Sequence, residues 1–276
     1  MSLPYIKNRS RPDRPHPVLR NDGVLVMAHR GGQGLWPPNT MYAFEKAVAM
    51  GVDVLETDIH STADGVLVVR HDPTVDATTN GTGYISDFRL AELKELDAGY
   101  RWTGDNGITF PYREHGVTIP TLDEVLNTFP GMRVNIDIKP KDASIVGPFC
   151  QMLKKFDKLD RVLVGSFHND QLRRFRNLCT QVATTAGVTE TRLFYGLNLV
   201  YLESIYRPNA EAFQIPEYAN GMHIVTPRFV RGAQSQNIQV HVWTVNEEAD
   251  MQRLMEWGVV GIITDYPDRL IKLLGR

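Results

Sequence analysis

Between Met27 and Asp72 the chain gathers residue types that do chemistry together. His29-Arg30-Gly31 opens the stretch, Glu56-Thr57-Asp58 lies in its middle and His71-Asp72 closes it. Glu56 and Asp58 stand two positions apart in an apolar run, so on a strand both side chains leave the same face. Asp137 and Lys139, in Val134-Asn135-Ile136-Asp137-Ile138-Lys139, repeat that geometry further on. Burying such charges among Val, Leu and Ile is costly unless they are paired or hold a metal. A salt bridge to Lys139 is the simple reading. Three carboxylates exceed what one lysine neutralises, which points instead to one divalent cation held by Glu56, Asp58 and Asp137. All-oxygen ligands indicate Mg²⁺ or Ca²⁺ rather than Zn²⁺.

His29 and His71 each follow a short apolar run and flank the acidic pair, the arrangement expected of acid–base catalysis. Arg30 can grip a phosphate in bidentate fashion, or bridge to Glu56 or Asp58 and fix its loop. Trp243, ending another apolar run, can lay an indole over a small polyol or cap the core. Together these residues describe a metal-dependent site for a small anion, and a phosphate diester fits it best. Of the other histidines, His16, His60, His115, His223 and His241 read as structural, and His168 is a minor candidate because it follows a strand.

The elements that must position these groups alternate strand and helix. Val24–Ala28 is apolar throughout, as a strand buried on both faces requires. Thr40 can cap the helix that follows and Gly51 can end it. Strands are predicted at 52–59, 133–138, 161–164, 181–184, 212–215, 240–243 and 259–263. Helical patterns lie at 122–129, 143–156, 171–178, 190–201, 227–236, 247–257 and 267–274. About eight strand–helix pairs are what a (β/α)8 TIM barrel needs, an α/β fold. An open doubly wound sheet is the alternative, but Gly31-Gly32-Gln33-Gly34 runs into Trp-Pro-Pro rather than a helix. The segment 72–118 is too long for a strand-to-helix loop and rich in turn formers. It is expected to form a small insertion subdomain after strand 2, above the active-site face. The catalytic barrel then spans 23–276. Residues 1–22, dense in Arg and Pro, read as an unpacked tail or as a basic arm for an anionic membrane.

The length of 276 residues allows one large core, and the net charge of -2 offers no field for nucleic acid. No apolar run is long enough for stable membrane insertion, and no signal-peptide core is present, so a cytoplasmic location is expected. Cys150 and Cys179 are expected as two buried free thiols, a disulfide being the alternative. Oligomeric state leaves no mark.

His29-Arg30-Gly31, Pro37-Pro38-Asn39-Thr40, Glu56-Thr57-Asp58, His71-Asp72, Asp137-Ile138-Lys139, Trp243-Thr244-Val245-Asn246 and Gly261-Ile262-Ile263-Thr264-Asp265 resemble, in order, the motifs of the glycerophosphodiester phosphodiesterase family. The resemblance implies a TIM barrel with an insertion after strand 2. It also implies hydrolysis of a small-molecule glycerophosphodiester to an alcohol and sn-glycerol 3-phosphate. By that resemblance the metal ligands fall on Glu56, Asp58 and Asp137, and the acid–base histidines on His29 and His71. The phosphate-neutralising groups fall on Arg30 and Lys139. The chain departs from the family's usual pattern at Pro38, where a Glu is common, and at Asp137, often Glu. The first removes a carboxylate and is expected to loosen Asn39; the second shortens a ligand by one methylene. Sphingomyelinase D-like enzymes share the barrel, so lysolipid substrates are a second reading. A lysophospholipase D would need an apolar groove, for which Phe88, Trp102, Phe110 and Tyr112 are candidates unless they pack the insertion's own core. A non-catalytic barrel that binds a phosphorylated ligand is the third reading.

Overall fold

A computed structural model describes residues 15–276. In chain order its regular elements are β1 (Leu25–Ala28), α1 (Met41–Met50), β2 (Val54–Ser61), β3 (Leu67–Val69), α2 (Leu90–Lys94), α3 (Leu122–Thr128), β4 (Arg133–Ile138), α4 (Val146–Lys155), β5 (Val162–Gly165) and α5 (Asn169–Leu178). They continue with β6 (Ala183–Thr184), α6 (Val188–Leu199), β7 (Ala212–Pro216), β8 (Tyr218–Ala219), β9 (Met222–His223), α7 (Pro227–Ser235), β10 (Gln239–Trp243), α8 (Glu248–Glu256), β11 (Gly261–Thr264) and α9 (Pro267–Leu273).

The parallel strands follow the order β6-β5-β4-β2-β1-β11-β10-β7. A parallel bridge between Thr185 and Ala212 joins the two ends, so the sheet closes into a (β/α)8 barrel. Alternation sorts the side chains of each strand. In β1, Leu25 and Met27 point inward and meet Val54 and Ile263, while Val26 and Ala28 face the helices and join Phe44 and Ala47 in the main core. In β2 the same rule sends Leu55 and Ile59 outward into that core, which leaves Glu56 and Asp58 on the inner face. Thr40 accepts a hydrogen bond from the Ala43 N–H at 3.2 Å and so starts α1, and Gly51, at φ 91°, ends it.

The segment after β2 departs from the ring. β3 returns antiparallel to β2, pairing Ile59 with Val69 and Ser61 with Leu67. The chain beyond it builds a small core of Val75, Ile85, Leu93, Ala98, Val117 and Ile119 on Val68. Trp102 docks this segment on the barrel: its Nε1 donates to the Gln33 carbonyl at 3.0 Å, and its ring meets Tyr112, which meets Tyr42.

Two expectations are corrected here. The unpacked tail proves structured from His16 onward. Pro17–Leu19 forms a 3-10 turn whose Val18 and Leu19 bury themselves against Leu163, Ala183 and Ala212, plugging the N-terminal end of the barrel. Two apolar side chains suffice to hold the turn, and Gln239 and Arg133 fix its carbonyls at 2.8 Å (Leu19) and 2.6 Å (Arg20). The basic positions Arg9, Arg11 and Arg14 lie outside the described residues. The second correction concerns Cys150 and Cys179, which form a disulfide with Cα atoms 5.8 Å apart. Their separation of 29 residues is about one strand–helix unit, so the barrel repeat brings α4 alongside the end of α5. Among the described residues no helix is long and apolar enough to cross a membrane.

Candidate active site

The C-terminal ends of the strands open into a cavity of about 490 Å³. His29, Arg30, Glu56, Asp58, His71, Asp137, Lys139 and Trp243 all line it, so these eight residues named from the sequence reach one space. His168 does not line it.

β2 and β4 are paired in register, Asp58 opposite Asp137 and Glu56 opposite Asn135, which sets the three carboxylates side by side. Lys139 Nζ stands between two of them, 2.9 Å from Asp58 Oδ1 and 2.8 Å from Asp137 Oδ2. Glu56 Oε2 accepts the Arg30 N–H at 2.9 Å. Arg30 adopts a left-handed conformation, φ 52°, which aims that N–H inward, and its Nε lies 3.8 Å from Asp58 Oδ2. Asn39, also left-handed at φ 57°, donates from Nδ2 to Asp58 Oδ2 at 3.1 Å and accepts from Thr57 Oγ1 at 2.8 Å. Its own N–H reaches the Arg30 carbonyl at 2.9 Å, so the Pro38 departure does not loosen it.

Charge in this cluster is unevenly compensated. Burial, then the Asp58 charge, raises Glu56 to a pKa of about 7. Burial also raises Asp137, to about 6, against the pull of Lys139. Asp58 meets the same burial, yet Lys139, Arg30 and His71 hold it below the usual carboxylate range. In turn the two aspartates hold Lys139 protonated despite its burial.

Each of the two histidines has a carboxylate at Nδ1. His29 Nδ1 lies 2.5 Å from Asp265 Oδ1, and His71 Nδ1 lies 2.7 Å from Asp72 Oδ1. Such a contact fixes the ring and keeps the proton on Nδ1, leaving Nε2 for a ligand. Asp265 is itself held: Gln33 Nε2 donates to Oδ1 and Asn246 Nδ2 to Oδ2, both at 2.8 Å, while the Asp265 N–H reaches Asn246 Oδ1 at 3.0 Å. Against burial, these donors and His29 lower its pKa. His29 Nε2 points towards the acidic cluster, 4.0 Å from Glu56 Oε2. Burial lowers the His71 pKa below its ordinary value, and His60 Nε2 braces the same turn by donating to the His71 carbonyl at 3.1 Å.

Among the described residues no three Asp, Glu, His or Cys side chains converge closely enough to hold a metal ion, and Lys139 Nζ stands between Asp58 and Asp137. In kind, the donors fit a hard cation. Glu56, Asp58 and Asp137 are carboxylates on adjacent strands, the oxygen donors such a cation takes, and burial makes the charged forms of Glu56 and Asp137 costly unless a cation is near.

Comparison with known proteins decides the relationship. Residues 29–269 match the Glycerophosphoryl diester phosphodiesterase family. The chain belongs to that family. A glycerophosphodiester phosphodiesterase of Caldanaerobacter subterraneus subsp. tengcongensis is 34% identical over 264 residues, covering 92% of this chain and 98% of its own. One from Bacillus subtilis is 33% identical over 270 residues, covering 93% and 88%. A phosphodiesterase structure from Oleispira antarctica, in complex with the product sn-glycerol-3-phosphate, superposes with a TM-score of 0.74 at 26% identity, covering 91% and 97%. Membership makes this phosphodiesterase-family chain an enzyme and sets aside the binding-only barrel.

Asp265 and Gln33 reach His29, Asp72 reaches His71 and Asn246 holds Asp265, although none of the four was assigned a role from the sequence. The available signal was positional: Asn246 and Asp265 are polar residues just beyond the C-terminal ends of β10 and β11, where barrel enzymes place working groups. The insertion's aromatics do not line the cavity, and Phe88 packs on the insertion's own core. Trp102 packs edge-on against Tyr112 and Tyr112 edge-on against Tyr42, and Arg113 lies over Phe110 at 3.7 Å. Apolar surface comes from the opposite wall instead, from Phe167, Tyr195, Ile215, Met222 and Trp243, with the β8–β9 hairpin at its rim.

Proposed function

We propose that this enzyme hydrolyses glycerophosphodiesters to an alcohol and sn-glycerol 3-phosphate, with His29 and His71 as its acid–base pair and one divalent cation, Mg²⁺ or Ca²⁺, at Glu56, Asp58 and Asp137. The observation that carries the reading is the pair of carboxylate-held imidazoles, His29 on Asp265 and His71 on Asp72, lining one cavity with three buried carboxylates. Arg30 and Lys139 bring positive charge to the diester anion, and Trp243 supplies a flat apolar surface for the glycerol carbons. The cation would add positive charge where negative charge grows at the phosphoryl oxygens.

Turnover forms one phosphorus–oxygen bond and breaks another, and a proton moves at each. His71, neutral near pH 7 because burial lowers its pKa, takes the proton of the attacking hydroxyl at Nε2. His29 gives the proton that the leaving oxygen needs, and Asp265 balances the imidazolium while it exists. The attacking hydroxyl is a water or the substrate's own glycerol hydroxyl, which would gain from proximity.

Incubation with glycerophosphocholine, followed by mass identification of products, tests this directly. Glycerol 3-phosphate should appear, EDTA should stop its release, and Mg²⁺ or Ca²⁺ should restore it. His29→Ala and His71→Ala should each slow turnover by at least about a hundredfold in a folded protein. Near-normal rates in either variant, or indifference to EDTA, would remove the mechanism.

The apolar wall of the cavity favours lysolipids as a second substrate class. Release of choline from lysophosphatidylcholine, at a rate comparable to glycerophosphocholine, would establish it.

A further inference from the structure

The deep side of the cavity is polar where a barrel interior is normally filled by branched apolar layers. Asn135, Thr185 and Gln214 line it, and none carries a charge. Asn135 is the most costly of them. It lies on the inner face of β4, one inward position before Asp137, and is 3% exposed, yet its Oδ1 accepts no hydrogen bond. A buried amide left without a partner is destabilising, so its retention calls for a ligand. Space for one is kept open beside it. Gly165, opposite Asp137 in the β4–β5 register, has no Cβ, and a Cβ there would lie 3.1 Å from Asp137 Oδ1 and 3.2 Å from Thr185 Oγ1.

Chemistry decides what fits. The charged groups Arg30 and Lys139 suit the anion, whereas a neutral amide beside a threonine and a glutamine suits hydroxyls, which both donate and accept. We propose that Asn135 is a specificity-determining residue whose amide hydrogen-bonds a hydroxyl of the substrate's polyol end, seating that end deep in the barrel. The inference deepens the phosphodiesterase reading given above and rests on it for the identity of the polyol. Asn135 touches the bound hydroxyl and takes no proton, so it reads the substrate without entering the chemistry.

Equilibrium binding separates this role from a structural one. The ligands are sn-glycerol 3-phosphate and n-propyl phosphate, which keeps the phosphate and the carbon chain but has no hydroxyls. Titration calorimetry on the wild-type protein should show glycerol 3-phosphate preferred by roughly tenfold or more, the cost of leaving buried polar groups unpaired. Asn135→Leu, similar in volume, should bring the two affinities within about threefold of each other, and Asn135→Ser, which keeps a hydroxyl, should retain part of the preference. A wild-type ratio near one would overturn the proposal, as would a ratio that survives Asn135→Leu or a variant that loses both ligands equally. If Asn135→Leu fails to fold by circular dichroism, the wild-type ratio and Asn135→Ser still decide. Discrimination without release of glycerol 3-phosphate from glycerophosphocholine would sink the proposed reaction and leave the subsite standing.

Discussion

His241 should make the protein acid-labile in a specific window. It points into the barrel from β10, is fully buried, and bonds only to amides: Gln239 Oε1 at 3.0 Å from Nε2 and Gln214 Nε2 at 3.3 Å from Nδ1. Gly261 on the neighbouring strand leaves the room its ring needs, since a Cβ there would sit 2.5 Å from His241 Cδ2. Burial lowers its pKa from 6.5 to about 4. The unfolded chain therefore binds a proton that the folded one refuses, and stability falls as pH drops from about 6.5 towards about 4. At about 1.4 kcal/mol per pH decade this is worth about 3 kcal/mol in full, most of it gone by pH 4.5. The test is urea unfolding at pH 7.5 and pH 4.5, followed by tryptophan fluorescence, for wild type and His241→Gln. Glutamine keeps polar partners for both amides but cannot titrate, so at pH 7.5 it should cost about 1–2 kcal/mol. At pH 4.5 that deficit should vanish or reverse. Parallel losses in the two proteins would refute the reasoning, because every other acid-sensitive group is common to both.

Two further outcomes follow from the geometry. Asp265→Asn should lower kcat by roughly two to four orders of magnitude, since it removes the charge at His29 Nδ1, and should also lower Tm, since its amide N–H₂ must face a donor from Gln33 or Asn246; steady-state kinetics beside calorimetry would show both. Lys158 is completely buried and donates to the Phe129 and Pro130 carbonyls at 2.7 and 2.8 Å. Lys158→Met strands both carbonyls and should cost about 2–4 kcal/mol in urea unfolding while leaving turnover intact.

What could be read from the sequence, and what could not, divides by range. The continuous apolar runs of β1 and β5 are legible because a strand buried on both faces is apolar throughout. The inward direction of Glu56 and Asp58 is legible because strand alternation is a local rule. The partner of His29 is not, since Asp265 arrives from 236 residues away and nothing short of the closed ring brings them together. The Cys150–Cys179 bridge failed for the same reason, as thiols isolated in sequence become neighbours once consecutive units pack side by side. The β8–β9 hairpin is two residues a side and escapes any periodicity. The Pro17–Leu19 plug is anchored by just two apolar side chains within an otherwise polar stretch, too small a signal to separate from a tail.

β2 continues beyond the ring and folds back on itself through β3. One imidazole therefore rides on the barrel wall after β1, while the other hangs from the stem of the excursion that follows β3. Assembly of the proposed proton-transfer pair thus requires two separately built pieces to be seated together, with Trp102 as a bolt between them. Anyone transplanting this excursion between related barrels, to alter which alcohols are released, would have to carry the stem through Asp72 and the Trp102 anchor along with it.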